Sequence, residues 1–384
     1  MIDLLDTAPF AQRAERALFR TLRDTAPVYF NPEPGGAGFW NITRYADVAA
    51  AARAEKWLIS GQGTQIRNKR AEGDGHASVH NADGRLHSAL RTPALAALSR
   101  SAMARHAQRI RAIADRLVAA APRGTPFDFV ALIARQLPMV VIAEVLGVPA
   151  DDAATLTDWA NTMSDVHAGD AAQADARQRL FAYFRALAQA KRHQPAADVA
   201  SALIGAFDGP DAAGVLDAYF MLLTVAGNET TRFLLAEGLE ALVDQGLVDV
   251  LRADPALIPA AIEDMCRLVS PVIHMRRTAA ADGEIAGQTI RAGDKVVLWF
   301  AAANHDERQF PDPERLDFGR RPNHHLGFGM GAHFCLGAHL ARIEVAAFLE
   351  AMLASVRHIR VVAPATRTPS NWFAATHSLM LEWE

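Results

Sequence analysis

A chain of 384 residues that is 51% hydrophobic can bury a large core, and a formal charge of −4 offers no electrostatic footprint for nucleic acid. Two cysteines exclude a disulfide framework and fit a reducing cytosol, so a cytoplasmic location is expected. The opening Met1-Ile2-Asp3-Leu4-Leu5-Asp6 lacks the basic and apolar regions of a signal peptide, and no run reaches the roughly 18 apolar residues of a membrane span, so no membrane insertion is expected.

The Pro/Gly-rich pieces at 31–38 and 64–84 are short and flanked by patterned segments, so they read as loops of one domain over 1–384. Strand-like runs are few: 38–42, 295–300 and 378–383. Helical periodicity fills most longer segments, as at 102–120, 127–146 and 178–190, which predicts a mainly α protein with a minor β-sheet region. Within 83–91, His87 and Arg91 stand four residues apart and project from one helix face. Both could donate to a carboxylate, although a solvated polar face is the alternative. Residues 137–146 form an apolar helix closed by Gly147 and stopped by Pro149.

The segment 217–243 is apolar almost all round and predicts a long helix through the core. In its middle stand Ala226-Gly227-Asn228-Glu229-Thr230-Thr231-Arg232. Unpaired polar groups buried there would cost about 1–3 kcal/mol each. They are therefore either paired at a kink or used by something the helix faces. Farther on, Phe328-Gly329-Met330-Gly331-Ala332-His333-Phe334-Cys335-Leu336-Gly337 surrounds a cysteine with three glycines, Gly329, Gly331 and Gly337. Backbone without Cβ atoms could approach a large flat ligand. The helical pattern resumes at Ala338, so Cys335 sits where a loop feeds a helix. Free N–H groups and the helix dipole at such a place lower a thiol's pKa and favour metal ligation by thiolate. A buried free cysteine in a turn is the alternative. The other cysteine, Cys266, lies in an apolar helical setting and reads as packing.

Phe-x-x-Gly-x-x-x-Cys-x-Gly, filled by Phe328, Gly331, Cys335 and Gly337, resembles the haem-binding loop of the cytochrome P450 family. His87 and Arg91 resemble that family's His-x-x-x-Arg element, with Gly84-Arg85 where Pro-Pro is usual, and the Leu-Gly-Val-Pro ending at Pro149 recurs in bacterial members. Ala226 to Thr231 is similar to the oxygen-activation segment of the central helix. The resemblance, which runs from residue 38 to the C-terminus, implies the cytochrome P450 fold and a monooxygenase of the soluble bacterial type. It implies haem b, with Cys335 on the iron and Phe328 and Gly337 framing the loop. His87, Arg91, Arg277 and His333 would hold the propionates. Gly227 would open a groove for dioxygen, Thr230 would hydrogen-bond it, and Glu229 would relay protons from water.

The family's Glu-x-x-Arg brace falls on Asp264 and Arg267, with Glu263 as a possible substitute and Arg315 or Arg320 as the third member. Val272, Ile273 and His274 would line the substrate side with Leu222, Leu223, Val225 and Ala226. Trp372 and Phe373 would join them, or would simply pack in the core. The apolar wall and the likeness to members that act on terpenes, steroids or branched lipids imply C–H hydroxylation of a largely apolar small molecule. His274 and the loop residues Arg67, Lys69 and Arg70 point toward a more polar substrate, or the last three are solvated. Electrons would come from an NAD(P)H reductase through a ferredoxin, or a flavodoxin, docked on the cysteine-loop face, because no flavin or iron–sulfur segment is present. Desaturation or coupling of a biosynthetic intermediate, and a non-enzymatic haem-thiolate sensor, are the rival readings.

Overall fold

The computed structural model describes residues 2–67, 78–164, 168–209 and 211–384. Its axis is the helix Ala212–Asp244, whose 33 residues extend both ends of the segment expected from the sequence and reach about 50 Å at ~1.5 Å per residue. So long a helix is held by packing rather than by caps. Phe220 stacks on Phe184 of the helix Asp170–His193 at 5.0 Å. Leu234, Leu235, Leu239 and Leu242 are buried in the main core with the helices Gln136–Leu146 and Ala338–Ser355.

The helix Gln136–Leu146 is buried on nearly every side and ends at Gly147, φ +70°, a left-handed conformation that glycine adopts without steric cost. A Cβ there would also strike the Asp198 carboxylate. Upstream, the single helix expected over 127–146 is instead a strand, Phe127–Asp128, a π-helical turn, Val130–Ala134, and then the α-helix. Asp128 accounts for the break, since its Oδ1 accepts from Val130 N at 2.9 Å and from Leu379 N at 3.2 Å. That stitches the segment to the strand Thr376–Trp383. The expected helix over 102–120 is likewise divided, into Arg100–Ala104 and Ala107–Ala120. At the break the buried His106 ring faces Glu144, 3.3 Å away.

Two main sheets flank the helices, and a third pairs only Gly283–Ile285 with Gln288–Ile290. The larger runs Val28–Asn31, Phe39–Ile42, Lys295–Trp299, His274–Ala279, Leu58–Ile59. Its one parallel pairing is Phe39–Ile42 beside Lys295–Trp299. Trp299 seals it from behind, stacked on Phe10 at 5.8 Å with its Nε1 donating to Asn41 Oδ1 at 2.7 Å. The smaller sheet sets Thr376–Trp383 between Phe127–Asp128 and Ile359–Arg367. Among the described residues, no helix is long and apolar enough to cross a membrane.

A buried ionic network ties the chain's ends to its axis. Arg367 donates to Glu237 of the central helix through Nε at 2.6 Å and to Glu15 at 2.7 Å. Thr376 Oγ1 adds a third contact to Glu237 at 2.6 Å. Burial alone would push the Glu237 carboxyl up, but the Arg367 charge and hydrogen bonds outweigh it and hold it below its ordinary 4.5. Arg367→Met leaves Glu237 with the Thr376 hydroxyl and, as counter-charge, Arg13 at 3.9 Å, and should cost about 3–5 kcal/mol in urea denaturation at neutral pH. Because the folded-state pKa is depressed, this stabilisation is full above the unfolded value and is lost as pH falls through the folded one. The gap between wild type and variant should therefore narrow below about pH 4.5.

Candidate active site

The residues flanking Cys335 fold as expected from a loop feeding a helix. A 3-10 turn at Gly331–His333 leads to Gly337, the N-cap of the helix Ala338–Ser355. The Cys335 amide donates back to the Phe328 carbonyl at 2.8 Å, closing the loop on itself. Gly331 has φ +75°, and a Cβ there would lie 2.5 Å from the Ala52 carbonyl oxygen. Its glycine therefore admits the neighbouring chain, a different use from the ligand approach expected of it. The thiol is exposed, although protein atoms crowd the sulfur. That desolvation pushes its pKa up, against the pull of the Gly337 amide, Arg91 and Arg342. The helix terminus alone was expected to lower it. The amide and the two cations act in that direction, but burial is the larger effect.

Around the loop, the structure gathers four nitrogen-bearing donor side chains from three separate segments. His87 and Arg91 lie on the helix Gly84–Ala97, Arg277 on the strand His274–Ala279, and His333 in the cysteine loop. The His87 and His333 rings are 4.2 Å apart, and Arg91 donates to the Phe334 carbonyl. Tyr219 of the central helix donates to the Leu90 carbonyl, which fixes the Gly84–Ala97 helix to the axis. Burial lowers Arg277 to about 10, with Asp83 opposing. Burial, reinforced by Arg277, His87 and Arg91, holds His333 down at about 3, and burial followed by Arg91 lowers His87. Both imidazoles are thus neutral donors beside two guanidinium charges. Among the described residues none of the four makes an ion pair with a carboxylate, and the buried His87 Nε2 has no hydrogen-bond partner. Such a set is complete only with anionic oxygen acceptors.

Behind the loop, Asp264 and Arg267 are wholly buried. Arg267 donates Nε to Asp264 Oδ1 at 2.6 Å and an Nη to Oδ2 at 3.1 Å. Its other N–H groups reach the carbonyls of Asn304, Pro313 and Arg315. Asp264 also accepts from Arg320 Nε at 3.1 Å, Asn323 Nδ2 at 3.1 Å and Asp317 N at 2.7 Å. The shorter aspartate thus reaches its arginine, and Arg320 is the third charged member. Arg315 gives only its carbonyl. Glu263 takes no part in this pair, because one step round the helix turns it toward other partners. It accepts from Arg342 Nε at 2.6 Å and Nη at 2.8 Å, and lies 3.2 Å from His325. The Glu263–Arg342 bridge was not foreseen, since no local spacing links two residues 79 apart in the chain.

On the central helix, Leu222, Ala226 and Thr230 recur every four residues and share a face. Ala226 is exposed in mid-helix, and Leu222, Leu223, Val225 and Thr230 are half-buried. The Thr230 hydroxyl donates to the Ala226 carbonyl at 2.7 Å, and Glu229 lies 3.7 Å from Arg232. Gly227 faces another way: a Cβ there would lie 2.9 Å from Ile142 Cδ1. Its visible use is close approach of the helix Gln136–Leu146.

The expected substrate wall divides. Val272 and Phe373 form an isolated β-bridge and are half-buried, and Trp372 packs on Phe373 with ring centroids 4.1 Å apart. Ile273 and His274 are core residues at 2% and 1% exposure, which corrects their placement on the substrate side. The sheet turns both inward, against Trp299, whose ring lies 4.8 Å from that of His274. His274 Nδ1 donates to the Asn371 carbonyl at 2.8 Å, and burial lowers its pKa to about 4, so it carries no charge for a polar substrate. Arg67 is exposed, while Lys69 and Arg70 lie outside the described residues.

These features fit a haem. An accessible thiol lies in a closed loop, two cations and two neutral donors await carboxylates, and the axial helix bares a small residue beside a threonine. A mainly helical fold carrying such a thiol beside this donor set fits a haem-binding class of oxidoreductase. Comparison with known proteins agrees. Residues 251–373 match the family model for cytochrome P450. The chain is 32% identical to linalool 8-monooxygenase of Pseudomonas putida, across 98% of this chain and 97% of that protein. It is 34% identical to a methyl-branched lipid omega-hydroxylase of Mycobacterium tuberculosis, across 95% and 90%. The structure of a Mycobacterium marinum cytochrome P450 in complex with pseudoionone superposes with a TM-score of 0.88 at 33% identity, covering 97% of this chain and 96% of that one. The chain belongs to the cytochrome P450 family of monooxygenases.

Because five donors converge on Asp264, Asp264→Ala should cost about 3–5 kcal/mol by stranding the buried Arg267 charge. Chemical denaturation of the purified variant checks this.

Proposed function

We propose that this chain hydroxylates a C–H bond of a largely apolar, terpene-, steroid- or lipid-like small molecule, using haem b held through Cys335. When bound, the haem supplies reductive scission of O2, one atom entering the substrate and the other leaving as water. Arg91 and Arg277 neutralise the propionates, and His87 and His333 donate N–H bonds to them. Leu222, Leu223, Val225 and Ala226, with Val272 and Phe373 opposite, orient the substrate by burying hydrocarbon and exclude water from the reacting carbon. The Thr230 hydroxyl donates its proton to the Ala226 carbonyl at 2.7 Å, and on releasing that carbonyl it becomes the hydrogen-bonding alcohol of the site. Glu229, one residue before it and half-buried, passes protons inward from solvent.

The observation that carries this reading is the bare mid-helix patch at Ala226 next to Thr230, on an axis whose following turns are buried. Relatives named for linalool and for methyl-branched lipids support the substrate class. A ferredoxin, or a flavodoxin, with its NAD(P)H reductase is the electron source we assign, docking on the cysteine-loop face of a cytoplasmic protein. The dithionite-reduced protein with carbon monoxide should give a strongly red-shifted Soret band that Cys335→Ala abolishes; an unchanged band in the variant would remove Cys335 as ligand. Terpene alcohols, sterols and branched fatty acids should shift the resting iron from low to high spin. With a ferredoxin system they should yield hydroxylated products by mass spectrometry, whereas desaturated or coupled products would reassign the reaction. Thr230→Ala should keep the spin shift but divert at least about tenfold more NADPH to peroxide, the scale of one lost proton-transfer group.

A further inference from the structure

Glu263 is adjacent to the buried Asp264 yet belongs to a different structure. Its carboxylate takes one edge of the Arg342 guanidinium, Nε at 2.6 Å and Nη at 2.8 Å, the paired geometry that fixes an arginine in orientation as well as in place. The third Arg342 nitrogen donates to the Ala338 carbonyl at 3.1 Å, in the first turn of the helix that follows Cys335. The guanidinium carbon then lies 4.4 Å from the centroid of the Phe328 ring, a cation–π contact. Phe328 is the residue whose carbonyl accepts the Cys335 amide at 2.8 Å. A continuous path therefore runs from Glu263 through Arg342 and Phe328 to the backbone of Cys335. His325, whose Nδ1 accepts from Gly327 N at 3.1 Å, completes the Glu263 carboxylate from the other end of the loop.

Both side chains are 29% exposed, enough to screen the pair but not to free it. A purely structural bridge would need no such site. The fold already has its anchor in Asp264, and an exposed ion pair adds little stability. What Glu263 and Arg342 add is opposite charge on the sulfur's side of the loop, with the cation the nearer because Arg342 is the one that touches Phe328.

We propose that Glu263 is a positioning residue for the thiolate, holding Arg342 as a fixed cation against the Phe328 and Cys335 loop, and that the two opposed charges set the reduction potential of the iron. The inference rests on Cys335 as the haem ligand. Reduction adds one negative charge to the iron–thiolate unit. A nearby cation favours the reduced state and a nearby anion opposes it.

Potentiometric titration of the haem-loaded protein tests this with four variants. Arg342→Gln should lower the potential and Glu263→Gln should raise it. Each should change the ferrous-to-ferric ratio at fixed potential by roughly threefold or more, a tenfold change being ~59 mV. Glu263→Asp, which keeps the charge, should stay near wild type. The double variant Glu263→Gln/Arg342→Gln, which removes both charges, should fall between the two single variants; if one of them fails to load haem, the double variant should still lie on the wild-type side of the other. Shifts of the same sign in the single variants, no shift in either, or an Asp variant displaced as far as the Gln variant would overturn the proposal and leave a packing bridge. A double variant displaced beyond both single variants would do the same. The carbon monoxide band of the wild type is read first. Its absence would remove the thiolate reading and this inference together, whereas its presence with same-signed shifts would remove the inference alone.

Discussion

Asp264 is the point on which the cysteine loop depends. Arg267 is a full charge with no access to solvent, and such a charge is tolerated only when every donor is used. All its N–H groups are used, two on Asp264 and three on the carbonyls of Asn304, Pro313 and Arg315. Those carbonyls belong to the chain that descends toward the cysteine. Asp264 repeats the logic with Arg320, Asn323 and the Asp317 amide. Two side chains on one helix turn thereby hold some twenty residues of irregular backbone, between 304 and 323, in one conformation. The loop carrying Cys335 starts from that fixed support.

Electrostatics then divides the site into two sides. On one, Arg91, Arg277, His87 and His333 present positive charge and donors with no carboxylate of their own among the described residues. On the other, Glu263 and Arg342 are already matched. The unmatched side is suited to a doubly anionic ligand edge, and the matched side can modulate the sulfur without attracting an anion. The same argument explains why both histidines are held neutral. Neighbouring guanidinium groups and burial act in one direction on each of them.

Much of the site was legible because its residues are local in the chain. His87 with Arg91, Asp264 with Arg267, and Gly337 just before a helix are helix-scale relations that a spacing of three or four residues expresses. Arg320 over Arg315 was undecided, because which of two nearby arginines turns inward depends on a loop with no period. Ile273 and His274 went to the wrong side for a related reason. Ile273 ends the connection into the strand and His274 begins it, and the sequence does not say that the turn there carries both toward the Trp299 core. The breaks at Asp128 and His106 were hidden by continuous apolar patterning, because the partners that end those helices, Leu379 and Glu144, lie far along the chain.

By itself the sequence determined a mainly helical protein, a buried axial helix with a polar interruption, and a thiol at the start of a helix, since each is written in periodicity or in adjacent residues. Tertiary structure decided the rest. It brought His87, Arg277 and His333 from three distant segments to one place. It gave Gly227 and Gly331 to neighbouring segments at Ile142 and Ala52, and it sent Glu263 to Arg342 while its neighbour Asp264 took Arg267. The physical reason is common to all three. A side chain's partner is fixed by how elements pack, and packing sums many weak, non-directional contacts that no short stretch of sequence contains.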